Sequence, residues 1–283
     1  MYSLQYSPDG TLLAVGYGDS GIQLLSTETG KLDKELRKHK YGALPTMCIR
    51  FSPKESHLCF AGTSEGSVLA CNVQDTSICE MVHELNNEIN CLDFSSDGTV
   101  FATAGKGRDV RIYDSVTSAN VLTFAGYHVD SNVKDVDGHA KRVFAIKFHP
   151  EFNDVLMTGG WDEQVKIWDA RCPSGLQRKV SGPFICGDAL DIKGDLVLTG
   201  SWRAENALQL WDFGSGELID TIPVLGDDSK INSGEDDAEE GDESGAEGTH
   251  DDGAYCREGA RLGGIAGTGG TLRAAAAQLP VAR

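Results

Sequence analysis

The sequence contains no long apolar segment. No stretch approaches the roughly 18 consecutive apolar residues of a membrane-spanning helix. Residues 1–5 have neither the basic start nor the apolar stretch of a secretory leader. The sequence also contains no run of basic residues, and its formal net charge is −18. We therefore expect an intracellular protein of the cytoplasm or nucleus that binds neither membrane nor nucleic acid directly.

The cysteines lack the spacing of a metal or redox site. There are 8 of them, with no CxxC pair and no zinc-like arrangement. Several lie inside apolar runs such as residues 47–51. We predict reduced, buried thiols that act as small apolar side chains, with no disulfide and no bound metal.

Proline is scarce and no sustained 3.6-residue apolar period is present. The chain has 8 Pro against 34 Gly, a balance that suits tight turns between short strands. Residues 164–168 alternate apolar and polar side chains, which is typical of a half-buried strand. The pattern predicts an all-β fold with almost no helix.

Five segments of the sequence align with one another. Their equivalent positions are Tyr6, Phe51, Phe94, Phe148 and Ile192, and the steps between them are 45, 43, 54 and 44 residues. In each segment a third strand is predicted to end at a matching pair: Leu25-Ser26, Cys71-Asn72, Tyr113-Asp114, Trp168-Asp169 and Trp211-Asp212. A period of about 40–45 residues with a terminal Trp-Asp pair indicates a propeller blade.

The fourth segment carries the most specific motif. Its Gly138-His139 pair, Thr158, Asp162 and Trp168-Asp169 resemble the full motif of the WD-repeat (β-transducin-like) family. The resemblance covers residues 1–225 in five copies and is weakest in the first three, where Leu25, Cys71 and Tyr113 replace the family's Trp. It implies a β-propeller of four-stranded blades, with bounds near 2–45, 46–88, 89–137, 138–187 and 188–225.

Five blades are fewer than the family usually has. WD-repeat propellers typically contain seven blades, and an N-terminal strand closes the ring by pairing with the last blade. Here the first inner strand is predicted directly after Met1. We expect an incomplete seven-bladed ring, and a closed ring of five blades is the alternative, since propellers range from ~4 to 8 blades.

His139, Thr158, Asp162 and Trp168 include the residue types of a hydrolase triad. The resemblance implies a structural role instead, in which the four side chains hydrogen-bond inside the blade. A buried polar set that satisfies itself avoids the cost of burying each group singly. We expect no catalysis, no cofactor and no small-molecule substrate.

Trp161 and Trp202 follow matching Thr-Gly-Gly and Thr-Gly-Ser turns, and Lys106 holds the equivalent place in the third segment. In the family this turn opens onto a face that commonly binds partners. With Arg203, these residues are our predicted partner-binding face. The alternative is that both indoles only cover the edge of the core.

Residues 126–137 form an insertion that accounts for the 54-residue step. It contains His128, Asp130, Asp135 and Asp137, which are irregularly spaced. We expect a loop that helps to recognise a partner, with a metal site as the lesser alternative.

Residues 226–283 have a different composition. Residues 227–252 hold twelve acidic groups against Lys230 alone, and the segment after them is rich in Gly and Ala. We predict a disordered tail. The expected function is a non-catalytic scaffold or adaptor that binds other proteins or peptide segments. The alternative is a chaperone of basic proteins such as histones, assisted by the acidic tail.

Overall fold

The computed structural model describes residues 1–127, 137–172 and 174–224. These residues form twenty strands in five antiparallel sheets of four, and this part of the chain contains no helix. It accordingly has no helix that is long and apolar enough to span a membrane. The prediction of an all-β fold is confirmed.

Each sheet corresponds to one repeat, and we number the sheets as blades 1 to 5. Blade 1 contains β1 (Ser3–Tyr6), β2 (Leu12–Gly16), β3 (Ile22–Ser26) and β4 (Leu32–Arg37). Blade 2 contains β5 (Thr46–Phe51), β6 (Leu58–Thr63), β7 (Ser67–Asn72) and β8 (Ile78–His83). Blade 3 contains β9 (Ile89–Phe94), β10 (Val100–Gly105), β11 (Val110–Asp114) and β12 (Asn120–Phe124).

The last two blades follow the same plan. Blade 4 contains β13 (Val143–Phe148), β14 (Val155–Gly160), β15 (Gln164–Asp169) and β16 (Leu176–Ser181). Blade 5 contains β17 (Leu190–Lys193), β18 (Leu196–Gly200), β19 (Leu208–Asp212) and β20 (Leu218–Thr221). Within each blade, neighbours in sequence are neighbours in the sheet. All five third strands end at the predicted residue pairs.

The first strands of successive blades pack side by side. In each first strand, one polar residue lies between two apolar or aromatic ones. These polar residues are at positions 5, 50, 93, 147 and 191. Arg50 lies 3.4 Å from Asp93 of the next blade and 2.6 Å from Asp188, which precedes blade 5. Lys147 similarly lies 3.4 Å from Asp191. Opposite charges therefore connect the first strands of neighbouring blades, and Arg50 also pairs with the segment before blade 5.

Four apolar clusters form the core, and each of them joins two consecutive blades. Side chains alternate across a strand, so each sheet presents apolar residues to the blade before it and to the blade after it. Within the described residues no cluster joins blade 1 to blade 5. The number of blades in a complete ring stays a prediction.

The prediction of buried cysteines is right for only part of the chain. Cys48, Cys59, Cys71 and Cys91 are buried free thiols, and burial raises the pKa of Cys48 to about 12. Cys79, however, is exposed, because it lies on the outer strand β8. Cys172 and Cys186 are partly exposed.

Candidate partner-binding face

The turns between second and third strands lie at one end of every blade, together with the loops that lead into the next inner strand. We call this end the upper face. In all five blades these turns hold a residue in the left-handed region two positions before the equivalent apolar third-strand residue: Ser20, Gly66, Arg108, Glu163 and Asn206. Four of the five are not glycine, so these turns have a defined and strained backbone.

The structure brings His139, Thr158, Asp162 and Trp168 together beneath the upper face of blade 4. The Nδ1 of His139 lies 2.9 Å from an oxygen of Asp162, and its Nε2 lies 2.6 Å from Oγ1 of Thr158. The indole Nε1 of Trp168 donates to the same Oγ1 at 2.7 Å. The Thr158 hydroxyl therefore accepts from the indole and donates to the imidazole, which leaves Nδ1–H to donate to the carboxylate.

Burial decides the charge states in this tetrad. It lowers the pKa of His139 and outweighs the opposing influence of Asp162. Burial acts to raise the pKa of Asp162, but the hydrogen bond from His139 and the charges nearby lower it overall. His139, Thr158 and Trp168 are almost wholly inaccessible. A neutral imidazole with no route for substrate is suited to holding a turn on a sheet, not to activating a nucleophile.

The prediction of two neighbouring exposed indoles is wrong for Trp161. This side chain is half-buried and packs against the core between blades 4 and 5. It contacts Phe144 and stacks on Phe184, with ring centroids 4.9 and 6.4 Å away. Its Nε1 donates to Sγ of Cys186 at 3.2 Å. The flanking Asp162 carboxylate faces inward to His139, and the indole turns towards the apolar side of the blade.

Trp202 differs from Trp161 although the two positions are equivalent. Its side chain is 50% exposed. Its backbone is fixed, since its amide donates to the carbonyl of Phe184 at 2.8 Å, and the amide of Phe184 donates to Oγ of Ser201 at 2.9 Å. Trp202 therefore presents a large aromatic surface from a backbone that is bonded to that of Phe184.

The two predicted cations of this face are already paired within the chain. Lys106 lies 2.7 Å from Glu88, and Arg142 bonds the other oxygen of the same carboxylate at 2.7 Å. Burial acts to raise the pKa of Glu88, but the hydrogen bonds and charges of Lys106 and Arg142 lower it overall. Arg203 pairs with Glu163. Glu88 and Glu163 thus neutralise two of the three cations Lys106, Arg142 and Arg203, and one positive charge is in excess where Lys106 and Arg142 share Glu88.

These contacts connect three blades. The Arg142 guanidinium lies 5.8 Å from the centre of the Trp161 ring, within the range of a cation–π contact. An unbroken series of contacts therefore runs from blade 3 to blade 5. It passes through Lys106, Glu88, Arg142, Trp161, Phe184 and Trp202. We call these six residues the rim strip.

Blade 3 contains a polar centre that sequence reasoning missed. The buried carboxylate of Glu84 accepts from the hydroxyls of Thr103 and Tyr113, from Arg111 and from the amide of Asn87. Thr103 and Tyr113 align with Thr158 and Trp168 of blade 4. That alignment could have predicted the polar centre, because the hydroxyls of Thr103 and Tyr113 need a hydrogen-bond partner when they are buried, and the preceding loop offers Glu84.

Lys166 was also missed. Its side chain is buried, and its ammonium donates to the carbonyls of Asp137 and Gly138 at 2.8 and 2.6 Å. It thus holds the end of the loop that carries His139. The rest of the predicted recognition loop, with His128, Asp130 and Asp135, lies outside the described residues, as does the segment 226–283.

Comparison with known protein families supports what the repeat indicates. The model of the WD domain, G-beta repeat, matches residues 77–114 and 130–169. The model of the anaphase-promoting complex subunit 4 WD40 domain matches residues 1–54. These matches support membership of the WD-repeat family.

Several curated relatives are similar to this chain. "Cell division cycle 20.1, cofactor of APC complex" of Arabidopsis thaliana is 23% identical over 81% of this chain and 48% of its own length. "WD repeat-containing protein slp1" of Schizosaccharomyces pombe is 20% identical over 81% of this chain and 44% of its own. "WD repeat-containing protein SL1-17" of Schistosoma mansoni is 30% identical over 60% of this chain and 50% of its own. The chain thus spans about half the length of these relatives.

A solved structure has the same fold. A chain of the crystal structure of the mitotic checkpoint complex matches with a TM-score of 0.61 and 20% identity, over 76% of this chain and 62% of that one. At this identity the likeness concerns the fold alone, which is the β-propeller that the repeat predicted.

Proposed function

We propose that this WD-repeat chain is a non-catalytic scaffold, a subunit or adaptor of a larger assembly, and that its upper face binds a peptide segment of a partner protein. Trp202 is the central contact residue. Relatives described as cofactors of a multi-subunit complex support the assembly role, and the buried tetrad of blade 4 offers no accessible nucleophile.

The single observation that carries the proposal is the exposure of Trp202 on a fixed backbone. A half-exposed indole gains apolar burial on binding and loses little conformational entropy, which is why Trp is enriched among the residues that dominate interfaces. Its amide is bonded to the carbonyl of Phe184, whose ring stacks on the half-buried Trp161. An apolar side chain of the partner would fit against this aromatic surface.

The charges of the rim strip determine what surrounds that side chain. Lys106 and Arg142 share one carboxylate, so this part of the strip has one cation in excess. Arg203 is balanced by Glu163. We infer a partner segment with an apolar side chain against Trp202 and a carboxylate near Arg142. The carboxylate would improve specificity and association rate more than affinity.

A displayed peptide library selected on the full chain tests this proposal. Peptides that bind the wild type should bind the Trp202→Ala variant about thirtyfold more weakly, the loss expected for a dominant aromatic contact of about 2 kcal/mol. The matched control is Phe152→Ala, because Phe152 is similarly exposed but lies in the turn at the opposite end of β14.

Two results would contradict the proposal. One is equal binding of the selected peptides to Trp202→Ala and wild type. The other is equal loss with Phe152→Ala. Full-chain affinity purification followed by mass spectrometry, with the same variants, extends the comparison to whole proteins.

The chaperone alternative rests on a different part of the chain. Residues 227–252 carry a net charge of −11, which attracts basic proteins at low ionic strength. Deleting these residues should abolish histone binding, and moderate salt should do the same. The library experiment does not depend on this segment, so the two functions can be distinguished.

A further inference from the structure

The loop between blades 1 and 2 places several cations on the upper face. β4 ends at Arg37, and Lys38, His39 and Lys40 follow it directly. We call residues 37–40 the basic loop. Arg37 is partly exposed, and the other three residues are exposed. Three permanent positive charges therefore lie within four consecutive residues of the face that also carries the rim strip.

His39 fixes the position of the basic loop. Its Nδ1 lies 2.7 Å from an oxygen of Asp19, and the amide of Lys40 donates to the Asp19 carbonyl at 3.0 Å. The imidazole also lies edge-on to the ring of Tyr17, with ring centroids 4.7 Å apart. The basic loop is therefore held on the turn between β2 and β3, and the Asp19 carboxylate is engaged by His39.

The described residues neutralise the basic loop poorly. The guanidinium of Arg37 comes no closer than 3.9 Å to Glu65, and its Nη1 has no hydrogen-bond partner among those residues. The side chains of Lys38 and Lys40 make neither an ion pair nor a hydrogen bond in the part of the chain that the structure describes. Their charges are thus available to an acidic group from elsewhere.

Other cations of the upper face differ from those of the basic loop. Lys106 and Arg142 share one carboxylate, and Arg203 has a carboxylate of its own. Lys141 is exposed and has no ion pair within the described ranges, but it is a single lysine in its loop. Among the described residues of this face, unpaired positive charge is therefore most concentrated in the basic loop.

An acidic segment of the same chain follows blade 5 at this face. The amide of Ile222 donates at 2.9 Å to the carbonyl of Leu208, the first residue of β19, so the chain leaves blade 5 at its upper end. Residues 227–252 come next and carry a net charge of −11. At about 3.3–3.6 Å for each extended residue, the chain from Val224 to residue 252 is long enough to reach any loop of the upper face.

We propose that the acidic segment 227–252 docks on the basic loop of its own chain. The segment and the loop carry opposite charge, and the segment is attached at the face on which the loop lies. Attachment within one chain gives the segment a high effective concentration, so a few weak ion pairs are sufficient. The basic loop shares no residue with the rim strip, so this inference does not depend on the proposed function.

The contact has two consequences. Exposed ion pairs are individually weak and are screened by salt, so the docked segment is released as the ionic strength rises. While it is docked, its carboxylates are less available to basic proteins, and the basic loop is covered against acidic segments of other proteins.

Zero-length cross-linking of the full chain tests the proposal. A carbodiimide joins a carboxylate to a lysine amine that it touches, and mass spectrometry of products with the mass of one chain identifies the pairs. Links from residues 227–252 to Lys38 and Lys40 should be at least about tenfold more abundant than links to Lys54 and Lys193, the combined effect of two or three exposed ion pairs. Lys54 and Lys193 are exposed lysines at the opposite end of the blades.

A charge reversal beside a reporting lysine gives the sharper result. Lys40→Glu should lower the yield of links at Lys38 about fivefold, because it replaces an attraction by a repulsion. The matched control Lys54→Glu should leave that yield unchanged. In the wild type, salt at about 1 M, where the screening length is about 3 Å, should act as Lys40→Glu does. Circular dichroism melts verify that both variants fold.

Four outcomes would overturn the proposal. Equal links to Lys54 and Lys193 would show contact without preference for the basic loop. Links mainly to Lys141 would place the segment on another loop. Links found only in products with the mass of two chains would assign the segment to a second copy. An unchanged yield at Lys38 in the Lys40→Glu variant would show that charge does not hold the segment there.

Discussion

Blades 3 and 4 bury their polar centres in different ways. In blade 4 the Thr158 hydroxyl connects the indole of Trp168 to a neutral imidazole, and Asp162 completes the set. In blade 3 the aligned Thr103 and Tyr113 both donate to one carboxylate, that of Glu84. Blade 4 distributes its hydrogen bonds over a chain of groups, whereas blade 3 concentrates them on one anion.

The comparison shows what the fold requires at this place. Both centres join the loop before the inner strand to the second and third strands, and both satisfy every participating group. The identity of the side chains can change provided that donors and acceptors balance, because an unsatisfied buried polar group costs about 1–3 kcal/mol. A residue in the third strand assists each centre: Lys166 donates to carbonyls of the loop, and Arg111 donates to Glu84.

The largest expected effect is that of Trp168→Ala. The substitution leaves a cavity between blades 3 and 4, where the indole stacks on Phe124 at 4.7 Å, and it removes the donor to Thr158. We expect a loss of about 3–5 kcal/mol in the free energy of unfolding. Urea denaturation followed by fluorescence measures it. A loss below about 1 kcal/mol would mean that the blade 4 centre does not stabilise the fold.

The second prediction compares the two carboxylates. Glu84→Gln should cost about 2 kcal/mol because four donors point at this carboxylate and an amide replaces one acceptor oxygen by a donor. Asp162→Asn should cost about 1 kcal/mol, since the remaining amide oxygen can still accept from His139. Denaturation of both variants under one set of conditions tests the order. The reverse order would show that blade 3 does not depend on its anion.

Blade 5 offers a reduced version of the blade 4 centre. Trp211 donates to Oγ1 of Thr199 at 2.9 Å. Thr199→Val removes this bond and the long bond that the hydroxyl donates to the carbonyl of Gln209 at 3.5 Å, and should cost about 1 kcal/mol. Thr158→Val should cost more in the same denaturation experiment, because it removes the partner of both His139 and Trp168. Equal costs would indicate that the imidazole adds nothing to blade 4.

The smallest expected effect is a difference in pH dependence. The folded-state pKa of His139 lies below its ordinary value of about 6.5. The unfolded chain therefore takes up a proton that the folded protein resists, and stability is lost as the pH falls below that ordinary value towards the folded one. We expect the melting temperature of wild type to decrease between pH 7 and about 5.5, where carboxylates do not titrate.

His139→Gln should reduce this slope even though it lowers the melting temperature at every pH. His57→Asn, at a partly exposed position directly before β6, is the control for the loss of a histidine. An unchanged slope in His139→Gln would assign the pH dependence to another group, of which His149 is the first candidate because burial also lowers its pKa.

The amino-acid sequence determined the architecture. The repeat of about 40–45 residues and the terminal residue pairs predicted five four-stranded blades, because each short strand has its own apolar alternation and its own turn residues. The spacing of His139, Thr158, Asp162 and Trp168 similarly predicted four side chains that the structure brings together. These features repeat at fixed intervals along the chain, so they are visible without coordinates.

Only the tertiary structure decided which side chains are accessible. Trp161 and Trp202 are equivalent in sequence, yet Phe144, Phe184 and Cys186 surround the first and leave the second half-exposed. Lys166 is polar in an alternating strand but is buried, because carbonyls of a distant loop accept from it. Burial depends on contacts between blades, and such contacts are made by residues that are far apart in the sequence.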